Sequence, residues 1–275
     1  MYKLFIFFVS LFILLGSCSN KKEIETSILS DEKIELQMVR LYKEGLKEFD
    51  NGFYLEAAKK FNDAELIFPQ SEWAPKASLM AAYSFFYSDY NSDAIIQIES
   101  FLKTYPNHPN IDYAYYLLAL SNYNMIIDEK KDLDPLIKSK SLFEFVLNNY
   151  SETEYAVDSR FKIDLINQML ASKEMYLAKY YIKKEKWIPA INRLKFIIDN
   201  YQTTVYIEEA LHRLVEIYYK IGLIDESRKY AAILGHNFPN SDWYENSYKI
   251  YNKNFNTSKV EDKKSSLEKL KSILD

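Results

Sequence analysis

A recurrence at a period of about 37 residues, inside the range of helical repeat arrays, constrains this chain more than any other feature. Gly45, Gly52, Tyr54, Ala57, Phe61, Ala64 and Pro69 form an ordered series of small, aromatic and turn residues. The series returns as Ala82, Phe85, Ala94, Ile98, Phe101 and Pro106. A longer third copy places Leu118 and Ala119 in a first helix and Phe143, Val146, Tyr150 and Ser151 in a second. Its extra length falls at Asp128–Pro135, read as a charged inter-helix loop. The fourth copy runs through Ala178, Tyr181, Trp187, Ala190, Leu194, Ile197 and Tyr201. The fifth has Val215, Tyr218, Gly222, Ser227, Ala231, Leu234 and Pro239. With 5 Gly and 7 Pro in 275 residues, the turns that an all-β chain requires are missing. An all-α chain of helix pairs is therefore expected.

The series resembles the tetratricopeptide pattern. Each helix pair buries its apolar stripe only by stacking on its neighbours, so the repeats at 35–251 predict a right-handed superhelical solenoid of about five helix-turn-helix units. Small residues at Gly45, Ala57, Ala190 and Gly222 are expected where helices approach closely. Four repeats end alike, at Tyr105-Pro106-Asn107, Tyr150-Ser151-Glu152, Tyr201-Gln202-Thr203 and Phe238-Pro239-Asn240. An aromatic residue, a turn and a capping residue stop one helix and start the next. Between the third and fourth copies, Glu154–Leu170 reads as a well-buried helix on the strength of Phe161, Ile163, Leu165, Ile166, Met169 and Leu170.

The N-terminus reads separately. Lys3 precedes an apolar run from Leu4 to Leu15, broken only by Ser10 and too short for a comfortable membrane span. Leu15-Gly16-Ser17-Cys18 follows and resembles a lipobox. Residues 1–17 are read as a lipoprotein signal peptide and Cys18, the sole cysteine, as the lipid attachment site. With Ser19 rather than Asp next, the outer membrane is favoured. Residues 18–34 are read as the lipidated cysteine and a non-helical tether, and acyl chains on Cys18 would hold a soluble domain to a bilayer. At the other end, 252–275 reads as a polar linker and a short amphipathic helix carrying Leu267, Leu270, Ile273 and Leu274, or as a solvated tail.

The C-terminal half carries more than generic repeat residues. Glu209–Tyr219 (EALHRLVEIYY) and Ala231–Ser241 (AAILGHNFPNS) resemble the BamD family, the ComL-type lipoproteins that assemble outer-membrane β-barrels. Asp112–Leu117 and Ala190–Leu194 resemble it too, in the right order, over about Glu35–Tyr251. Ser151 and Gln202 replace turn prolines, and Gly45 gives way to Ala82, Ala119, Ala178 and Val215 in later repeats. The resemblance implies a periplasmic scaffold at the outer membrane. Its C-terminal repeats would bind the barrel-forming BamA; Asn192, Arg193, His212, Arg213 and His236 are assigned to that region. Its N-terminal repeats would hold unfolded outer-membrane proteins near their C-terminal β-signal. First-helix spacing selects Tyr42, Phe49, Lys76, Tyr83, Phe86, Tyr87, Tyr116 and Tyr123 for this groove, with Leu46, Leu79 and Leu120. The same aromatics would equally serve as packing between repeats, and the chain's 24 Tyr partly reflect a Lys-, Asn- and Ile-rich composition.

Other classes find little support. A net charge of −4 is the wrong sign for a nucleic-acid footprint. One cysteine excludes an internal disulfide and a cysteine-cluster metal site. His108, His212 and His236 show no metal-ligand spacing and are read as structural or surface residues; no nucleophile elbow or phosphate loop occurs. A non-enzyme without cofactor, apart from lipid on Cys18, is expected. Other Bam lipoproteins are further partners implied by the resemblance. The alternative is another periplasmic repeat lipoprotein, serving cell division or polysaccharide export.

Overall fold

A computed structural model describes the backbone of residues 21–126 and 133–252, with side chains from Glu32 onward. The segment read as a leader, Cys18, residues 128–132 of the 128–135 insertion and the 253–275 segment lie outside the described residues; Asp134 and Pro135, read as loop, instead begin a helix, where proline suits the first turn. Eleven helices are described: α1 (Lys21–Asp50), α2 (Tyr54–Ile67), α3 (Ala74–Tyr87), α4 (Asn91–Thr104), α5 (Ile111–Asn124), α6 (Asp134–Asn149), α7 (Glu154–Lys183), α8 (Trp187–Asn200), α9 (Ile207–Lys220), α10 (Ile224–Asn237) and α11 (Asp242–Lys249). The all-α expectation holds among the described residues, and α1/α2 through α9/α10 reproduce the five sequence repeats. The chain divides into two compact units, one ending at Ser121 and the other beginning at Asn122.

The turns show why the repeat is legible. In α1–α2 the Phe53 N–H donates to Glu48 O at 2.9 Å and the Gly52 N–H to Phe49 O at 2.9 Å. Tyr90 and Asp89, Lys186 and Glu185, and Leu223 and Gly222 repeat this double closure in α3–α4, α7–α8 and α9–α10. It is a Schellman-type stop that satisfies the last carbonyls of the first helix and needs one left-handed residue. That residue is Gly52 (φ 83°), Asp89 (φ 60°), Glu185 (φ 54°) or Gly222 (φ 84°). Gly222 therefore serves backbone conformation rather than close helix approach; a Cβ there would meet nothing within 4 Å. Gly45 is the reverse case, since a Cβ would sit 2.8 Å from Phe61 Cε1.

The reverse turns use the aromatic stop. Ser71, His108, Thr153, Thr204 and Ser241 donate their N–H to the carbonyls of Phe68, Tyr105, Tyr150, Tyr201 and Phe238. Thr153 Oγ1 and Ser241 Oγ then accept from Ala156 N and Trp243 N, capping the next helices.

In the first unit, Ala57, Phe61 and Ala81 form one buried cluster and Met38, Ala64 and Ala77 another. Alanines let the helices close until Phe61 fills the space beside Gly45. In the second unit, Ile166, Leu170, Ala171, Met175 and Ala178 bury one face of α7.

Two expectations need correction. Helix α1 starts at Lys21, so 21–34 is not a non-helical tether. Good helix formers without Gly or Pro extend the helix back from the first repeat even where no amphipathic period shows. Likewise Glu154–Leu170 is the first part of a 30-residue helix that buries only one of two apolar faces. Val157, Phe161 and Leu165, at helical spacing, are 60%, 62% and 49% exposed. Sequence counts apolar positions; which of two apolar faces meets the core depends on packing.

Candidate functional site

In the first unit, a cavity of about 440 Å³ opens between α1, α3 and the start of α5. Tyr42 forms part of its wall; Lys76, Leu79, Met80 and Tyr83 of α3 line it one helical turn apart; His108, Pro109 and Asn110 of the α4–α5 turn and Tyr113 of α5 close it. Tyr42 is set by edge-on contacts with Phe61 (5.2 Å) and Trp73 (5.4 Å). Tyr83 stacks on Phe49 at 5.4 Å and meets Tyr113 edge-on at 6.2 Å. Burial, then the hydrogen bond with Tyr87, pushes the Tyr83 hydroxyl up to about 12. Lys76 Nζ lies 4.8 Å from the centre of the Trp73 ring. Burial, then the charge of Lys76, pushes the His108 imidazole below its ordinary value. The site is an open aromatic bowl with two basic groups.

The sequence-selected groove set divides. Tyr42, Lys76 and Tyr83, with Leu79, line the bowl. Phe49 and Tyr87 join Tyr54 in a cluster behind Tyr83, with centroid distances of 5.0–5.5 Å. Phe86 contacts Tyr87 at 6.4 Å, and half-buried Tyr116 is not part of the lining. Tyr123 belongs to the second unit, where it meets Phe143 at 6.5 Å and Lys162 Nζ lies 5.1 Å from its ring. Of the seven in the first unit, Tyr42, Lys76 and Tyr83 line the bowl and the other four do not. First-helix spacing selects positions that both line the bowl and pack behind it. Sequence reasoning missed His108, Asn110 and Tyr113. The repeat held a signal for Tyr113, which occupies in the third copy the position of Lys76 in the second.

In the second unit, Asn192 and Arg193 line a shallower hollow of about 270 Å³ with Tyr181, Pro189 and Phe196. Arg193 Nη1 is 3.1 Å from Glu174 Oε2 on α7. Arg213 pairs with Glu209 (3.2 Å) and Glu216 (2.7 Å), and its guanidinium lies 5.5 Å from the centre of the Trp243 ring. His236 is exposed. His212 departs from the expectation: it is buried, its Nδ1 is 2.8 Å from Ser247 Oγ, and its ring meets Trp243 at 5.1 Å. It fastens α11 to α9 and presents no surface to a partner. Its position on the amphipathic α9 turns it toward α11. Burial raises the Glu216 carboxyl, but hydrogen bonds from His212 and Arg213 outweigh that and hold it at about 2.

With these two sites in place, comparison with known proteins is decisive. The model of an outer membrane lipoprotein family, YfiO, matches residues 34–234. The chain belongs to this family. A relative from Rickettsia prowazekii, named outer membrane protein assembly factor BamD, is 41% identical over 238 residues, 86% of this chain and 92% of the relative. The BamD of Caulobacter vibrioides is 36% identical, covering 87% of this chain and 77% of the relative. That of Neisseria meningitidis serogroup A is 31% identical, covering 85% and 90%. The resemblance carried by the C-terminal segments is thus borne out. The YfiO match takes in the bowl and the Arg193 and Arg213 networks and ends at Leu234, before α11. Among the described residues of this family member, no helix is long and apolar enough to cross a membrane.

Proposed function

We propose that the chain is a non-catalytic, lipid-anchored scaffold on the periplasmic face of the outer membrane, serving insertion of β-barrel proteins. The observation that carries this reading is family membership, with relatives across most of the chain named as outer membrane protein assembly factors. Cys18, in the lipobox-like segment, is the proposed acylation site. The aromatic bowl of the first unit suits an unfolded segment rich in aromatic and apolar side chains, because tyrosine faces and edges pair with rings of many orientations. The second unit offers Asn192, Arg193 and exposed Phe196 around a shallow hollow, a mixed polar and apolar surface suited to a folded partner. We assign the first to unfolded substrate and the second to a BamA-type barrel protein. Purification of the native lipoprotein from membranes tests the assignment. A co-eluting BamA-type barrel protein is expected; co-elution with division or polysaccharide-export proteins instead would replace this reading.

A further inference from the structure

Helix α11 and the turn after it are fastened to the second unit by hydroxyl groups. Ser241 donates to Glu208 of α9. Ser227 of α10 donates its one proton to the Val215 carbonyl at 2.7 Å, so it accepts from the Tyr251 hydroxyl. The fastening between these two, Ser247 to His212, differs in kind, because imidazole gains or loses a proton between about pH 5 and 8. The proton count of His212 follows from its neighbours. Ser247 Oγ donates its only hydrogen to the Trp243 carbonyl at 2.8 Å, so toward His212 Nδ1, also 2.8 Å away, it accepts. Nδ1 therefore carries a proton. Nε2 lies 3.4 Å from Glu216 Oε1, a carboxylate held ionised, and so carries one too. His212, only 5% exposed, is thus a buried imidazolium with its ring against Trp243.

The other charged groups nearby are committed elsewhere. Arg213 is shared between Glu209 and Glu216 on α9. On α11, Glu245 pairs with Lys249, and Asp242 lies in the first turn. Lys195 of α8 and Tyr230 of α10 meet α9 at Tyr218. A neutral His212 either turns the Ser247 hydroxyl from Trp243 to Nδ1 or leaves a bare nitrogen facing Glu216. The first strips α11 of a bond, and both remove one of the two cations that stabilise Glu216. We propose that α11 is a proton-operated latch over α9, docked while His212 carries a proton on both ring nitrogens and loosened when one is lost. Loosening uncovers His212 and the face of Arg213 that the Trp243 ring now covers, in the region that the family resemblance assigns to the barrel-forming partner. The latch does not depend on that assignment, because its test reads α11 and not the partner.

Hydrogen–deuterium exchange of the full chain, with labelling times scaled for the intrinsic effect of pH, measures the docking of α11 at about pH 5 and about pH 8. In the wild type, protection of Asp242–Lys249 relative to α10 is expected to fall about tenfold or more across this range, the scale of one hydrogen bond to a charged group. Glu216 stays ionised throughout, so the change belongs to the imidazole. His212→Gln, which keeps a donor for Ser247 but carries no charge, is expected to hold α11 equally at both pH values. A wild-type α11 that is equally protected at both would overturn the latch. So would an equal fall in His212→Gln, since the titrating group would then lie elsewhere. Nitrogen-15 spectra of the histidine-labelled wild type give a check that needs no variant. The pH at which the His212 ring loses its second proton is expected to coincide with the pH at which α11 loosens. A ring that turns neutral while α11 stays protected would overturn the proposal.

Discussion

Glu216 shows how one side chain is pulled by opposing forces. Burial opposes its charge, while His212 and Arg213 stabilise it, and the second effect wins. The folded pKa of about 2 lies below the ordinary 4.5, so the carboxylate stabilises the fold at pH values above about 4.5. That contribution is lost as pH falls toward 2. Thermal unfolding followed across this window is expected to fall more steeply for the wild type than for Glu216→Gln. The two curves should approach each other near the acid limit, and a constant offset at every pH would exclude Glu216 as the titrating group. Solvent exposure of about 41% dampens the effect, because water competes for both partners. The spacing of His212 and Arg213, four and three residues before Glu216, was legible in the sequence, but the burial around them was not. Only the packing of α11 brings Ser247 and Trp243 onto His212.

Among elements, the four Schellman-type turns are alike in hydrogen bonding and unlike in composition. Two have glycine at the left-handed position and two have Asp89 or Glu185. An L-residue there costs ~1–2 kcal/mol, less for Asp, whereas glycine costs ~0.5–1 kcal/mol in chain entropy. Glu185→Gly is therefore expected to raise stability by up to ~1 kcal/mol in urea unfolding. Its surface pair with Lys220, both side chains more than half exposed, offsets little of that gain. Asp89→Gly should gain less, because Asp tolerates the conformation and its Oδ1 accepts from Asn91 Nδ2 at 2.7 Å. Loss of stability in Glu185→Gly would show that the turn is held by something other than its backbone. The helices themselves were readable, since the 37-residue spacing and the aromatic stops mark their ends. Two features were not. The backward extension of α1 has no turn signal to mark its start, and the exposed Val157–Phe161–Leu165 face of α7 looks in sequence like a buried one.

For the molecule as a whole, the division into two compact units gives the proposed division of labour a physical footing. Repeats stabilise mainly their neighbours, so one unit can be altered with small effect on the other. Tyr83→Ala combined with Tyr113→Ala is expected to weaken crosslinking to an unfolded barrel-protein peptide by roughly tenfold or more, with pull-down of the BamA-type partner unchanged. Arg193→Glu should do the opposite, because it reverses the charge of the hollow and is repelled by Glu174. Helicity of each variant, read by circular dichroism, separates a lost site from a lost fold. Coincident loss of both activities in either variant would refute the division. Part of the candidate site was legible in sequence: first-helix spacing found Tyr42, Lys76, Leu79 and Tyr83, four of the nine lining residues. His108 and Asn110 come from a turn, which carries no helical period to count.

The double closure of these turns also bears on how such a chain is made. Four of the five first helices are sealed by bonds between residues only three and five apart, such as Gly52 to Phe49 and Phe53 to Glu48. Contacts that short close early, and chains dominated by them order quickly. A polypeptide synthesised from its N-terminus can thus complete one hairpin while the next is still emerging. Each finished hairpin then offers a template on which its successor lays down its apolar stripe. A protein proposed to hold other chains while they are unfolded is itself assembled from hairpins that can close as they are made.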